Sequence, residues 1–392
     1  MKSFITFLKE EVEASEGQKL KHITHAEDRP LQSGAKGFEH AKAALNQAHE
    51  HMKAGEHNSH LTMKYDGSPS IVFGHHPKTG KFFVASKSAF NKNPKINHTD
   101  EDIEKNHGHA PGLVHKLKSA LHHLPKVSPK HGVYQGDLMY THDDLHHHDG
   151  KVSFTPNTIK YTAKGDEAEK IAKSKLGVVV HTQYHGDDIH SMSADPHPDT
   201  HNFKHHPDVW TKDVAHDTSK IHYPRADQEA FHHHMAAAQE IHDKHGKTMY
   251  ANTEKHQGAG GHLETYINHT VRTGETPNHE GLKNHIAAKY EKEASKLKTQ
   301  SNQDKKRKES AEHIEHIENH KNDYNRLLEM HHHLQKAKDV LVHNLNKHTG
   351  GLEHHIGDKK TDPEGFVVHH DGEPTKLVNR KEFSRANLLK TR

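Results

Sequence analysis

The sequence predicts an α+β fold: a core of antiparallel sheets interrupted by a large helical insertion. Three observations point there. Short β-branched and aromatic runs recur at 61–74, 81–88, 132–140 and 176–184, several of them bounded by glycine. Strand character returns at 363–368 and 375–380, around the turn dipeptide Asp371-Gly372. Between these two blocks the apolar residues repeat at three- and four-residue spacing, which is helical.

The 392 residues suffice for two or three domains, but only 30% are hydrophobic against 28% charged. No apolar run is long enough to span a bilayer. The absence of cysteine excludes disulfides, thiolate zinc sites and cysteine nucleophiles. A formal charge of +2 means that any nucleic-acid surface must be a local patch. The 51 histidines cluster at 146–148, 232–234 and 331–333. Most stand where Lys, Asn or Gln would serve on a solvated face, giving adventitious metal affinity; a specific site needs ligands converging in space.

In order along the chain, Met1–Ala14 reads as an amphipathic helix with Phe4, Phe7, Leu8 and Val12 on one face. Residues 37–54 read as a helix. Leu61–Gly74 reads as strand, tight turn and strand, with Asp66-Gly67 at the turn and Lys64 before it. A lysine there is a candidate nucleophile, since burial and neighbouring cations lower its pKa. The run 81–88 is a second strand carrying Lys87, and 103–124 reads as a helix. Strand 132–140 embeds Asp137. Residues 154–161 read as loop and short strand, and 176–184 as a buried strand. Residues 187–223 look irregular, and 226–245, 278–298 and 304–348 helical. The expected organisation is thus 1–14 as a separate helix, 15–186 and 359–392 as the core, and 187–358 as the insertion. Gly258–Gly261 lacks the Lys-Ser/Thr of a phosphate loop. The basic run 305–308 is a solvated face or an RNA contact.

Lys64-Tyr65-Asp66-Gly67 resembles motif I of the covalent nucleotidyltransferases, the superfamily of polynucleotide ligases and capping enzymes. Gly136-Asp137 resembles motif III, with Asp in the usual Glu position. Glu364-Gly365-Phe366-Val367-Val368 resembles motif IV, and the strand with Lys376 resembles motif V, lacking a second lysine at 378. The resemblance implies a ligase core, ATP and Mg²⁺ as cofactors, and a lysyl–AMP at Lys64 that is passed to a 5′-phosphate and sealed to a 3′-hydroxyl. It implies Lys64, Asp66 and Lys376 as catalytic and Asp137 and Glu364 as metal or ribose contacts. Arg29, Lys87 and Arg380 become phosphate contacts, and His181 or Tyr184 lines the nucleotide pocket. The chain ends 16 residues after Lys376, without room for a terminal oligonucleotide-binding barrel, and Ser68 follows the motif I glycine. Both favour RNA over DNA as partner.

The first dozen residues resemble capsid-targeting peptides of tailed-phage head proteins. They imply the cytoplasm of an infected bacterium, or the virion interior, as location. The competing expectation is a catalytically inactive phage head protein on this fold, binding nucleic acid or metal.

Overall fold

A computed structural model describes residues 23–55, 57–196, 198–254, 261–348 and 351–380. The N-terminal helix expected over 1–14 and most of the 258–261 glycine run lie outside them. The fold is α+β, with several antiparallel sheets and long helices. Among the described residues, no helix is long and apolar enough to cross a membrane.

The chain divides into two compact units. One comprises His57–Asp217 with His348–Glu364; the other comprises Ile23–Glu56, Thr218–Lys347 and the chain from Gly365 on. These boundaries replace the expected division at 15–186, 187–358 and 359–392. Residues before His57 and the strands after Glu364 join the helices rather than the first sheets.

The first unit is built on a six-stranded sheet. Its central strands are Ser70–His75, Val133–Thr141 and Leu176–His185, paired antiparallel, with Phe82–Ala85 beyond Ser70–His75. Ile71, Phe73, Tyr134, Leu138 and Val178 bury one face against Val114, Leu117 and Leu124. Val72, Phe83, Val133 and Tyr184 bury the other, against Ile189 and Met192. Alternation along each strand assigns these residues to their faces.

The region expected to be irregular contributes two strands to this sheet, both on the edge of Leu176–His185 away from Val133–Thr141: Ser193–Asp195 pairs antiparallel with its end, and Val209–Asp213 pairs parallel with its start. Buried Trp210 anchors the latter, donating from Nε1 to Glu167 Oε1 at 3.0 Å. The parallel pairing is invisible locally, because His, Asp and Pro surround a very short apolar core. A second, antiparallel sheet orders Lys359–Thr361, Leu352–Ile356, Lys160–Ala163, Lys151–Phe154 and His146–His148.

Leu61–Gly74 is not a hairpin. The strand His57–Lys64 pairs antiparallel with Ala215–Asp217, whereas Ser70–His75 belongs to the six-stranded sheet. Residues 65–69 cross between two sheets, so Asp66-Gly67 is no tight turn; neither residue has a positive φ. The expected helix 103–124 is likewise two, Asp100–His107 and Pro111–His123. Thr99 and Asp102 form a reciprocal capping box at the first, and Pro111 starts the second.

The second unit holds helices Arg29–Ala54, Arg225–Glu254, Leu263–Thr273, His279–Ala294, Gln300–Asn319 and Lys321–Leu345. The single helix expected over 304–348 is broken at His320, which has φ −119° and ψ 25°. The helix expected from Gly37 starts at Arg29 and kinks at Ser33 and Gly34. Three strands complete the unit: Gly365–His370 and Glu373–Leu377 form the expected hairpin, and Thr24–His25 runs parallel to the latter. Asp371 and Gly372 take positive φ (48° and 75°) at its turn.

This unit also buries charge. Lys338 Nζ meets Glu27 Oε1 at 2.6 Å with both side chains fully enclosed. Asp28 accepts two hydrogen bonds from Arg380 Nη1 at 2.8 Å each and contacts His331 Nε2 at 2.9 Å.

Candidate active site

Lys64 ends its strand, half-buried, and its ammonium forms an ion pair with Glu364 Oε1. Glu364 lies just before the strand Gly365–His370. Burial alone would lower the Lys64 pKa, but the Glu364 carboxylate outweighs it, with help from Asp137 and Asp66, and holds the pKa above its ordinary value. The expectation of a lowered pKa is therefore corrected: this lysine is a stabilised ammonium. The sequence showed one acid nearby, and the fold supplies three.

The cross-sheet segment reaches Asp137 because residue 67 is glycine. A Cβ there would stand 2.5 Å from Asp137 Cβ and 3.1 Å from Leu138 O, closer than atoms approach. Ser68 N donates to Leu138 O (2.9 Å) and Leu138 N to Pro69 O (3.0 Å), tying the segment to the Asp137 strand. Asp137 lies opposite Ser70 in the register.

His181 reaches Asp137 through an irregularity in pairing. Gln135 pairs with Thr182 and Gly136 with Val180, so His181 is the extra residue of a bulge. Its Nε2 lies 3.5 Å from Asp137 Oδ1, and its Nδ1 lies 2.9 Å from Thr182 Oγ1. Burial raises the Asp137 pKa, but His181 and then Lys64 pull it below the ordinary carboxylate value. Tyr184, the other candidate for this strand, instead donates to Gln135 Oε1 at 2.5 Å, and Gln135 Nε2 donates to Ser70 Oγ.

Asp66 is buried, and its role is to fix the loop after Phe154. Its carboxylate accepts from Asn157 Nδ2 (2.9 Å), Thr158 N (2.6 Å) and Ile159 N (2.8 Å). Its own N–H donates to the Tyr161 hydroxyl at 2.7 Å. Asp66 thus joins the Lys64 segment to the second sheet. Lys116, which no sequence motif marks, donates to Ser68 O at 3.1 Å; only its place on a helix face was legible.

The structure therefore brings Lys64, Asp66, Asp137, His181 and Glu364 together in one unit. Lys87 does not lie on a strand: the strand ends at Ala85, and Lys87, itself exposed, opens a single-turn helix whose Ala89 is buried. Arg29, Lys376 and Arg380 belong to the other unit. Arg29 bonds Glu373 Oε2 (3.2 Å) and Pro374 O (2.8 Å), and Arg380 is buried on Asp28 and Asn268. Arg380 is thus enclosed by its partners, whereas Arg29 is partly exposed and already paired with Glu373. Lys376 sits mid-strand, in register with Val367 and His25.

A scan against protein-family models matches residues 20–392 to DUF6267, a family of unknown function. The chain belongs to that family. No curated protein and no solved structure matches it.

Within this DUF6267 chain the oxygen donors Asp137 and Glu364 suit a hard cation such as Mg²⁺, which would compete with the Lys64 ammonium for them. One group of three ligand atoms lies within 4.8 Å among the described residues: His279, Glu280 and Glu318. Lys283 Nζ already neutralises both of its carboxylates, at 2.8 and 2.6 Å. Two residues of the basic run at 305–308 are likewise paired with acids. Arg307 bonds both oxygens of Glu291, at 2.9 Å each, and Lys306 bonds Glu309 at 2.9 Å. That pairing disfavours an RNA contact there.

Proposed function

We propose that Lys64 is the nucleophile of an ATP-dependent, RNA-ligase-like nucleotidyltransferase. The observation that carries this reading is the pairing of Lys64 with Glu364, two motif residues from opposite ends of the chain, with Asp137 and His181 beside them.

Attack requires the neutral amine. In the first step the Lys64 ammonium gives up one proton to solvent, Nζ bonds to the α-phosphorus of ATP, the bond to pyrophosphate breaks, and the second amine proton leaves to solvent. Asp137 and Glu364 would hold Mg²⁺, whose positive charge would offset the two carboxylates and favour the neutral amine of Lys64. A 5′-phosphate oxygen then takes the nucleotide and regenerates Lys64, and a 3′-hydroxyl displaces AMP to seal the strand. Lys376 enters through its motif alone, as the cation for the α-phosphate.

The second reading is a non-catalytic binding protein on the same framework, and the raised Lys64 pKa favours it. One experiment decides. Intact mass is measured after incubation with ATP, GTP or NAD and Mg²⁺, with Lys64→Ala alongside. A nucleotide adduct on the native chain alone supports the ligase reading; no adduct on well-folded protein overturns it.

A further inference from the structure

Two runs of three histidines, at 232–234 and 331–333, lie on helices Arg225–Glu254 and Lys321–Leu345 of the second unit. These helices run antiparallel. Asn344 Nδ2 donates to Asp227 Oδ2 (2.9 Å) towards one end, and Asn252 Nδ2 to Asp323 Oδ2 (2.6 Å) towards the other. Because successive helical residues point about 100° apart, each run is spread around its helix. His331 is spent on Asp28, and His232 sets its ring against His49 at 4.7 Å.

His234 and His333 are different. They face each other across the helix pair, half-buried, with Nδ1 atoms 3.0 Å apart. In such a contact one ring donates a proton and the other a lone pair. His233 flanks the pair, its ring 5.2 Å from that of His234, and Glu329 stands one turn before His333. A cavity of about 260 Å³, lined by His234, Lys336, Asp339 and His343, opens beside His234.

We infer that His234 and His333 anchor a site for a divalent transition-metal ion of the zinc class, with water completing the coordination. Tetrahedral zinc at the usual Zn–N length of about 2.0–2.1 Å needs its two ligand nitrogens about 3.3 Å apart. The observed 3.0 Å requires a shift of only a few tenths of an ångström, with the shared Nδ1 proton moving to Nε2 of the donor ring so that both neutral rings offer an Nδ1 lone pair to the metal. Burial, then neighbouring imidazoles for His234, hold both pKa values below the ordinary one, so the rings are in the neutral form that ligates. Imidazole nitrogens select zinc, copper, nickel or cobalt over magnesium or calcium. This site is independent of the Lys64 reading.

The test uses the full chain without an affinity tag, freed of metal by chelation. It is titrated with Co²⁺ by visible absorption, and with Zn²⁺ against a chromophoric chelator. We expect one equivalent to bind at least about tenfold tighter than the background of scattered histidines. That equivalent disappears in His234→Ala/His333→Ala and persists in His146→Ala/His148→Ala, which alters exposed residues of another triplet. Retention by the first variant overturns the site, as does equal loss in the second, which would mark adventitious histidine affinity. Should the double variant not fold, His333→Gln at its half-exposed position decides by the same criterion.

Discussion

Glu364 sets the protonation of Lys64. The two side chains form an ion pair, and the carboxylate outweighs the burial that would otherwise favour the neutral amine. Glu364→Gln should lower the Lys64 pKa and speed its acylation near pH 8, because each tenfold rise in acidity gives roughly tenfold more neutral amine. Site-resolved mass spectrometry after a pulse of amine-reactive reagent measures this. An unchanged rate would mean that the pair does not control the amine. Because the folded pKa is raised, the pair's contribution to stability is complete below the ordinary lysine pKa of 10.5 and is lost only as pH climbs through the folded value.

Asp66→Ala should destabilise the protein by about 3 kcal/mol. It removes one side-chain and two main-chain hydrogen bonds to a buried carboxylate and strands the N–H groups of Thr158 and Ile159. Asp66→Asn keeps one acceptor oxygen and should lose less. Urea unfolding of the three proteins ranks them; equal midpoints for wild type and Asp66→Ala would remove the anchoring role.

In the second unit, Lys338→Met should cost about 3–5 kcal/mol, because Glu27 is left charged in a fully enclosed position. Adding Glu27→Leu should recover most of that loss. A double-mutant cycle by chemical denaturation reads the coupling, and additive losses would show that the two side chains do not interact.

Acid should unfold the protein early. Burial holds the pKa values of His25, His107, His262 and His354 down to about 4. The unfolded chain binds their protons near the ordinary value of 6.5, so stability is complete above that value and falls as pH drops towards 4. At about pH 5 each group costs on the order of 2 kcal/mol. His354→Phe, at a buried position beside the Tyr161 ring, should flatten the slope of melting temperature against pH between about 7 and 5. An identical slope would assign the acid sensitivity elsewhere.

The C-terminal hairpin was legible locally: Asp371-Gly372 between two apolar runs has one economical backbone solution, and the structure adopts it. The β-branched run at 176–184 and the leucine stripe after Tyr324 were legible for the same reason. The breaks at Ala110 and His320 were less so, since apolar periodicity continues through them.

Residue chemistry by itself determined the main helices, the C-terminal hairpin and the buried run at 176–184, and which acids, lysines and histidines were available. Tertiary structure alone decided that Lys64 and Ser70 lie in different sheets, that a bulge turns His181 to Asp137, and that Arg29 and Arg380 are consumed by Glu373 and Asp28. The physical reason is range. Backbone preference is set by neighbours within a few positions, whereas the potential at an amine sums every charge the fold brings near it. Lys64 in sequence has one neighbouring acid and reads as a lysine that burial could neutralise; in the fold it has three and stays charged.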